Sequence, residues 1–578
     1  MEKDTRNIKW GSQIPKLFYC DQPYVVVTDA GHWLCVMTTG HAEEGKRGQH
    51  IVSAISYDRG HNWSELTAIE PADGPEASWA MPYKTSYGRI YVFYTYNENN
   101  LREMISDEGY SRNRVDTLGA FMYRYSDDHG LTWSRDRHRV PIREMMIDRN
   151  NPYGGKVQFF WGVGKPMLHR SAVFMGVAKV GRFGDGFMAC SEGVFLRSDN
   201  LDTERNPLQL QWLTLPDGDH GIAAPLGPIA DEHNLTGLSD GSLFCTFRTV
   251  AGHSGQAYSR DMGHTWTEPT FMEYEPGGRL FKHPRAANFV RKLSNGKYIY
   301  WFHNHGMDRI DRPSTAYKDR NPAWLSGGIE RDGYIYWSQP EILLYDDDPD
   351  IRISYPDFVE DGDGLYITET QKEIARVHEV DWSLLHGMWN QREQRKLTES
   401  GLAVRWFVES GEANARMPQL PSLQEGNGIT IDFWVRGQAL MNADGACLFD
   451  SRDASGIGIA VWAGEDRRIH LQCGNGKAVS AWPSDAHSWQ ADRWHHIAII
   501  LEGGPKLILF VIDGVLCDGG DERQFGWGRI HPGIQEVTGA LQAQLNPAAL
   551  GELRVYVRPL RVSECVANYQ AGSRLPQV

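Results

Sequence analysis

The chain has 578 residues, of which 41% are hydrophobic and 23% charged, so it is long enough for two or three domains and can bury a sizeable core. Its 59 Lys and Arg against 74 Asp and Glu give a net charge of −15, which disfavours nucleic acid and anionic membrane surfaces as partners. No run of about 18 apolar residues occurs and the eight cysteines are scattered singly, so the sequence predicts neither a membrane span nor a cysteine-rich zinc or disulfide framework.

The N-terminal segment carries charges early and lacks an apolar stretch followed by a cleavage site, so it predicts no secretory signal and a cytoplasmic location. Aromatic residues make up 11% of the chain and glycines number 60, which is typical of many short strands joined by turns. The sequence therefore predicts an all-β protein.

A turn motif, Ser-x-Asp-x-Gly-x-x-Trp, occurs three times, beginning at Ser56, Ser126 and Ser259. Its Ser and Asp can bond their own backbone, its Gly can take a left-handed conformation, and its Trp can pack beneath the turn. Degenerate copies beginning at Ser198 and Ser326 continue the series at spacings of 61 to 72 residues. Each copy is therefore predicted to be the turn of a hairpin.

A second repeated element is a turn followed by an apolar strand. Its six copies begin at Asp29, Ser86, Leu168, Leu238, Leu293 and Glu360. Six copies at a period of about 65 residues predict six four-stranded blades. Residues 1–385 are therefore predicted to form a six-bladed β-propeller.

Beyond the propeller the pattern changes. Residues 386–400 are predicted to be a linker, and residues 401–578 contain new alternating segments separated by turn signals, which predict a two-sheet antiparallel β-sandwich. The hairpin that starts at Arg493 and the late strand that starts at Leu553 resemble those of laminin-G-like or concanavalin-like jelly-roll domains. This resemblance leaves open whether the sandwich binds glycan, packs on the propeller or forms oligomers.

The three complete turn motifs, on a period of propeller length, resemble the Asp-box (BNR) repeats of the sialidase superfamily. The resemblance implies that the Asp-boxes are architectural and that function lies at strand ends lining a central funnel. Sialidases use a Tyr nucleophile activated by a Glu, a cluster of Arg that binds the substrate carboxylate, and a general acid. The Tyr is explained by the substrate, whose anomeric carbon bears a carboxylate that would repel a carboxylate nucleophile.

The later blades contain matches to these parts in chain order. Glu232 precedes an apolar strand and a Leu-x-Asp-Gly turn, and Arg248 follows sixteen residues later. The resemblance implies that Glu232 is the partner of the tyrosine and that Arg248 and Arg320 bind a carboxylate. In the sixth blade it implies that Tyr355 is the nucleophile and Glu369 a supporting carboxylate.

The first blade departs from the family pattern. Gln22 stands where the first Arg of the cluster is expected, and the loop that should supply the general acid contains no Asp. His50, Glu44 or His41 could donate the proton, and His50 lies closest to the expected position. The pKa of an unperturbed histidine, near 6.5, suits it for that role. Each of these histidines is equally compatible with simply bonding its loop.

Three further side chains are candidates for lining the funnel: His283 and Arg285, at the start of a blade-five strand, and Gln371, two residues after Glu369. The sequence contains no phosphate-binding loop, dinucleotide-binding glycine pattern or HExxH motif. It therefore predicts no cofactor and no metal site.

The leading hypothesis is an exo-acting, retaining glycoside hydrolase of sialidase type that removes a terminal sialic acid or related acidic sugar from an oligosaccharide or glycan. One alternative keeps the fold but acts on rhamnose or uronic-acid oligosaccharides with a His/Tyr site. The other is a non-catalytic carbohydrate-binding protein. The oligomeric state is left open, with a homo-oligomer as one possibility.

Overall fold

The computed structural model describes residues 3–106, 111–112, 114, 116–407, 414–441, 445–540 and 542–573. Strands dominate and helices are few and short, so the predicted all-β class is confirmed. The chain divides into two compact units. One comprises Ile8–Trp337 and Asp348–Trp382, and the other comprises Met1–Asn7, Ser338–Asp347 and Ser383–Val578. The boundaries predicted at 385 and 400 stay predictions.

Among the described residues, the first unit contains six antiparallel sheets of four or five strands that follow one another along the chain, and one two-stranded sheet of Met104–Ile105 and Ser111–Arg112. The elements of its first half are β1 (Ser12–Gln13), β2 (Tyr19–Val27), β3 (Trp33–Gly40), β4 (His50–Ser56), β5 (Thr67–Ala68), β6 (Ala77–Lys84), β7 (Ile90–Tyr96), β8 (Met104–Ile105), β9 (Ser111–Arg112), β10 (Ala120–Ser126), β11 (His138–Val140), α1 (Met146–Arg149), β12 (Phe160–Gly162), β13 (Met167–His169), β14 (Ala172–Gly184), β15 (Phe187–Ser198) and β16 (Leu213–Leu215). Blade one is β2–β5, blade two is β6, β7, β10 and β11, and blade three is β12–β16.

The second half of this unit repeats the arrangement. Its strands are β17 (Asp231–Gly237), β18 (Leu243–Arg248), β19 (Gly255–Ser259), β20 (Thr270–Phe271), β21 (Phe289–Lys292), β22 (Tyr298–Phe302), β23 (Ala323–Arg331) and β24 (Tyr334–Trp337), then, after β25 (Glu341–Leu344) of the other unit, β26 (Ser354–Asp361), β27 (Gly364–Thr370) and β28 (Ala375–Glu379). Blade four is β17–β20, blade five is β21–β24, and blade six is β26–β28. The N-terminal strand β1 completes blade six by pairing with β28, which closes the ring and confirms the six-bladed prediction.

The three complete Asp-boxes share one hydrogen-bond pattern. In each copy the serine hydroxyl donates to the aspartate Oδ1 at 2.7–2.9 Å and accepts from the glycine N–H at 2.8 Å. Gly60, Gly130 and Gly263 have φ of 83°, 91° and 92°, a region that favours glycine because it has no Cβ. Local turn chemistry therefore explains why the three complete copies form the same turn.

The two degenerate copies of the motif differ in structure, since only one of them forms the predicted turn. At Ser198 the hydroxyl bonds the Oδ1 of Asn200 at 3.2 Å, so a turn of the same kind forms there. The turn predicted at Ser326 is wrong, because Ser326 lies inside β23 and pairs with Tyr300. The glycines that follow Ser326 pair with strand β22, and the chain reverses instead at Gly333, whose φ is 73°.

The second unit contains two antiparallel sheets, as predicted for a β-sandwich. Besides β25, its elements are α2 (Trp382–Trp389), β29 (Leu402–Phe407), β30 (Asn414–Arg416), β31 (Gly428–Arg436), α3 (Gly437–Met441), β32 (Cys447–Asp450), β33 (Ile457–Ala463), β34 (Ile469–Asn475), β35 (Val479–Pro483), β36 (Trp494–Glu502), β37 (Leu507–Ile512), β38 (Val515–Leu516), β39 (Gly528–Arg529), β40 (Gln542–Leu545), β41 (Leu550–Tyr556) and α4 (Val562–Ala571). One sheet has the order β29-β41-β31-β36-β37-β38 and the other β30-β40-β32-β33-β34-β35.

Alternate residues of these strands form the sandwich core. Ile431, Phe433, Ile499, Phe510 and Leu553 belong to one buried apolar cluster that draws on both sheets. This burial of apolar side chains between two sheets is the main source of stability of such a domain. No helix among the described residues has the length and apolar character needed to cross a bilayer.

Candidate active site

The first strands of the blades surround a central cavity. It has a volume of about 590 Å³ and is lined by residues from all six blades. In four of these strands a β-bulge comes immediately before the stretch that lines the cavity. The bulges place one non-glycine residue each in the left-handed region: Gln22, Trp79, Glu232 and Tyr355, with φ of 53°, 66°, 55° and 50°.

A left-handed conformation costs a non-glycine residue about 1 kcal/mol or more, and such strain collects at functional sites. A bulge also re-aims a side chain, because it breaks the alternation of the strand. The same device used in four blades therefore marks the beginnings of these strands as the candidate site. The lining of the cavity itself starts just after these four residues and includes none of them. Two of the four residues, Glu232 and Tyr355, were predicted as the catalytic pair.

Glu232 and Tyr355 meet across the centre of the propeller. The phenol of Tyr355 donates a hydrogen bond of 2.7 Å to Glu232 Oε1, and Arg248 Nη1 lies 2.9 Å from the same oxygen. Only 5% of Tyr355 and 2% of Glu232 are exposed. Burial, followed by the charge of Glu232, raises the pKa of Tyr355 well above its usual value. The tyrosine is therefore a neutral phenol whose proton points at a carboxylate.

A second carboxylate, Asp231, lies beside this pair and was not predicted. Its Oδ2 accepts hydrogen bonds from Arg248 Nε at 3.2 Å and from Arg285 Nη2 at 2.9 Å, and its Oδ1 accepts one from Ser191 at 2.6 Å. Burial alone would raise the pKa of Asp231, but the charges of Arg285 and Arg248 outweigh it and lower the pKa. Asp231 is therefore ionised between two arginines.

The third arginine of the cluster is Arg320. Its Nη1 donates to Ser354 Oγ at 2.9 Å and its Nη2 to the carbonyl of Arg285 at 3.1 Å. All three predicted arginines lie near the ring of Tyr317. The guanidinium carbons of Arg285, Arg248 and Arg320 are 4.7, 5.8 and 6.0 Å from the centroid of that ring. The structure thus brings Tyr355, Glu232 and all three predicted arginines into one group.

Lys372 adds a cation that sequence reasoning missed. Its Nζ lies 4.4 Å from the centroid of the Tyr355 ring and forms ion pairs with Asp21 at 2.5 Å and Glu44 at 3.3 Å. Glu44 also pairs with Arg114 at 2.9 Å. One sequence feature pointed to Lys372, because it directly follows Gln371, which was predicted to line the funnel.

The pKa values of Asp21 and Glu44 are shifted in opposite directions. Burial raises the pKa of Asp21, against the opposing charge of Lys372. Burial would also raise the pKa of Glu44, but Lys372 and Arg114 outweigh it and lower that pKa to about 2. Glu44, one of the three proton donors considered from the sequence, is therefore ionised at neutral pH. Asp21 holds its proton more tightly.

His50 and His41 lie apart from this group. His50 is buried, its Nδ1 bonds the carbonyl of Gly48 at 2.9 Å, and burial lowers its pKa, with the charge of the exposed His41 as a further cause. Within the described residues, no hydrogen bond or ion pair joins either histidine to Tyr355 or Glu232. The predicted role of His50 as proton donor stays a prediction, as does that of His41, for which the sequence also suggested contact with the substrate.

Gln22, Glu369 and Gln371 are also bonded elsewhere. Gln22 Nε2 donates to the carbonyl of Gly162 at 3.3 Å, which ties blade one to blade three. Glu369 accepts hydrogen bonds from Gln371 and from His378 Nε2, the latter at 3.2 Å, within the last sheet. Gln371 in turn accepts one from Arg376 at 2.6 Å. None of the described contacts of these three side chains is with Tyr355 or Glu232.

His283 is held as a neutral imidazole. Its Nε2 donates to the carbonyl of Ala286 at 2.8 Å, and its Nδ1 accepts from the backbone N–H of His303 at 3.1 Å. Burial lowers the pKa of His283 to about 3, and burial lowers that of His233 to about 3 as well. Both rings are 1% exposed or less.

These two histidines predict a pH dependence of stability. The folded pKa values lie below the unfolded value near 6.5, so between those limits the unfolded chain binds more protons than the folded one. The contribution is therefore complete above about pH 6.5 and is lost as pH falls towards 3, at about 1.4 kcal/mol per pH unit for each histidine. Urea unfolding at pH 7.5, 6.0 and 5.0 measures this slope. His283→Asn should reduce this slope by the contribution of one histidine, and an unchanged slope in His283→Asn contradicts the assignment.

The sandwich contains one group with the composition of a metal site. The ligand atoms of His487, His495 and Asp513 lie within 4.8 Å of one another. However, His495 Nε2 accepts a hydrogen bond from the backbone N–H of Gln490 at 3.1 Å, so its Nδ1 bears the proton and donates to Asp513 at 2.7 Å. That nitrogen has no lone pair to offer a metal, so His495 and Asp513 form a hydrogen-bonded pair, with His487 Nε2 3.8 Å from Asp513.

Two segments match known families. Residues 124–135 match the BNR/Asp-box repeat, and residues 409–565 match the concanavalin A-like lectin/glucanases superfamily, which confirms the predicted Asp-box repeat and concanavalin-like domain. No curated protein matches the chain.

Similar solved structures are distant. A Dyadobacter fermentans protein of unknown function has 13% identity over 64% of this chain and 97% of its own, with a TM-score of 0.45. Trypanosoma rangeli sialidase in complex with the inhibitor DANA has 11% identity over 96% and 94%, with a TM-score of 0.43. A mutant of the NanB sialidase from Streptococcus pneumoniae has 12% identity over 64% and 70%, with a TM-score of 0.44. Similarities this distant do not determine an activity, which has to be inferred from the contacts in the site.

Proposed function

We propose that the propeller is a retaining glycoside hydrolase in which Tyr355 is the nucleophile and Glu232 its base. The observation that carries this proposal is the buried 2.7 Å hydrogen bond from the phenol to the carboxylate, supplied by two blades that are far apart in sequence. A phenol with a raised pKa is a poor nucleophile until a base takes its proton, and Glu232 is placed to do so.

The reaction proceeds in two steps. As the Tyr355 oxygen bonds to the anomeric carbon, its proton passes to Glu232, the glycosidic C–O bond breaks, and the leaving oxygen takes a proton from an acid. Water then attacks the glycosyl–tyrosine, its proton goes to the group that acted as acid, and the phenolate recovers its own proton from Glu232. Two inversions at one carbon give net retention.

The acid in this scheme belongs to the group formed by Asp21, Lys372 and Glu44. Asp21 is our candidate, because burial raises its pKa while that of Glu44 is lowered to about 2. Lys372 connects Asp21 to the face of the Tyr355 ring. His50 is the alternative donor from the sequence.

The substrate predicted from the sequence has a terminal α-linked sialic acid or a related acidic sugar, which an exo-acting enzyme would release. A tyrosine nucleophile would avoid the repulsion between a carboxylate nucleophile and a substrate carboxylate, and the same phenol can attack an uncharged sugar. The alternative with a His/Tyr site on rhamnose or uronic-acid oligosaccharides lacks support from contacts, since the described contacts of His50, His41 and His283 do not include Tyr355. A non-catalytic glycan binder has no need of a strained phenol–carboxylate pair.

The proposal is tested by product stereochemistry and by trapping. The full chain is offered 4-methylumbelliferyl N-acetyl-α-neuraminide, 4-nitrophenyl α-L-rhamnoside and a set of neutral 4-nitrophenyl glycosides, and NMR records the anomer formed first. We expect retention and, with the fluorinated analogue of the released sugar, a covalent adduct that peptide mass spectrometry places on Tyr355. Inversion, or an adduct on another residue, would contradict the proposal.

A further inference from the structure

The arginine cluster of this site is already occupied by a carboxylate of the protein. Resting on the proposed function, we propose that the sugar bound beside Tyr355 is uncharged, because Asp231 takes the place of a substrate carboxylate. This differs from the acidic sugar predicted from the sequence. The juxtaposition of Asp231 with Arg248 and Arg285 in the interior of the propeller carries this inference.

Each of the three nitrogens of the Arg248 guanidinium already faces a carboxylate of the protein. Its Nε and Nη2 lie 3.2 and 3.1 Å from Asp231 Oδ2, and its Nη1 lies 2.9 Å from Glu232. A bidentate interaction with a substrate carboxylate uses two N–H groups on one edge of the guanidinium. Here the edge formed by Nε and Nη2 faces Asp231, so a substrate would have to displace it.

All three nitrogens of the Arg285 guanidinium form hydrogen bonds within the protein. Its Nε and Nη2 bond Asp231, its Nη1 donates to the carbonyl of Gly186 at 3.2 Å, and its Nη2 also donates to that of Met188 at 2.9 Å. The residue is wholly buried. These contacts describe a guanidinium that supports the interior of the propeller, and they leave no surface for a ligand.

Arg320 does not replace them. Its two terminal nitrogens bond Ser354 and the carbonyl of Arg285, and only 4% of the residue is exposed. A carboxylate that bound Arg320 alone would meet one guanidinium whose outer nitrogens already have acceptors. The energy that a cluster of three open arginines provides for an anionic sugar is therefore lacking.

Most other cations of the site are also paired with carboxylates of the protein. Lys372 is paired with Asp21 and Glu44, and Arg114 is paired with Glu44 and Asp116. Among the five cations of the described site, Arg320 is the one whose described bonds go to neutral groups. A buried anionic sugar would therefore have a single guanidinium to offset its desolvation, whereas an uncharged sugar adds no such cost.

Binding measurements on the full chain test the inference. The probes are 2-deoxy-2,3-didehydro-N-acetylneuraminic acid and acetate, and the readout is the melting temperature as each probe is titrated. The wild type should show no stabilisation by either. Asp231→Asn removes the internal counter-charge while keeping the shape, so acetate should stabilise this variant with a dissociation constant at least about tenfold lower than that of the wild type.

Asp148→Asn is the matched control. Asp148 is a buried carboxylate paired with Lys179 away from the site, so its loss should create no acetate binding. Stabilisation of the wild type by the sialic acid analogue would overturn the inference, as would Asp231→Asn that folds but binds acetate no better than Asp148→Asn. If Asp231→Asn does not fold, titration of the wild type with the sialic acid analogue still tests the inference.

Turnover separates this inference from the proposed function. The wild type should leave 4-methylumbelliferyl N-acetyl-α-neuraminide intact while it hydrolyses a member of the neutral glycoside set. Release from the sialoside that disappears in Tyr355→Phe would overturn the uncharged-substrate inference and leave the tyrosine mechanism standing. Hydrolysis of a neutral glycoside that persists in Tyr355→Phe would instead contradict the tyrosine mechanism.

Discussion

Replacing Tyr355 by phenylalanine should lower kcat by at least about a thousandfold, because it removes the oxygen that forms the bond to the anomeric carbon. The substitution keeps the ring, its packing and the ion pair between Glu232 and Arg248. KM should therefore change much less than kcat, which steady-state kinetics on the best substrate of the glycoside set will measure. The fluorinated trap should leave no adduct on the variant.

The matched control is Tyr123→Phe. Tyr123 is also buried in the propeller, and its hydroxyl donates to the carbonyl of Pro207 at 2.9 Å. Removing that hydroxyl should leave kcat unchanged. Glu232→Gln should lower kcat by about a hundredfold or more, because an amide cannot take the phenol proton. Near wild-type turnover in Tyr355→Phe would refute the nucleophile assignment.

Replacing Arg285 by methionine should lower the free energy of unfolding by about 3–5 kcal/mol. Asp231 would keep only Arg248 as a cationic partner, and the carbonyls of Gly186 and Met188 would lose their donor. A buried charge that loses a partner is costly because it is not rehydrated. Urea unfolding followed by tryptophan fluorescence measures the loss.

Arg260→Met serves as the comparison. Arg260 pairs with Asp240 at 3.4 Å, and 40% of its side chain is exposed, so solvent already screens the interaction. Its loss should leave the free energy of unfolding nearly unchanged. Equal losses in the two variants would mean that Arg285 is not the buried counter-charge described above.

Much of the site could be predicted because its parts lie in recognisable local sequence. Glu232 and Arg248 are separated by one strand, one turn and a second strand, so their spacing follows from the hairpin they share. Arg320 and Tyr355 followed in chain order. The structure places all four in one group, although their chemical roles remain proposals.

Other parts of the site could not be predicted because bulges redirect the strands. Strand alternation puts successive side chains on opposite faces, and each bulge breaks that rule at one position. Trp79 and Asp21 lie at such bulges, in blades two and one, and carry no motif. Lys372 follows β27 and is itself in the left-handed region, with φ of 77°. None of these conformations can be read from spacing.

The sequence by itself determined the number of blades and the sandwich that follows them, because Ser, Asp and Gly create a turn through bonds to their own neighbours and strand alternation creates the faces that pack. Only the tertiary structure decided the charge of the site. Asp231 and Arg285 are 54 residues apart, and whether an arginine is open to a ligand or paired with a carboxylate depends on which strands the closed ring brings into contact. Pairing and burial are properties of that contact, so the residue types alone could not distinguish a clamp for an anionic sugar from a neutralised interior.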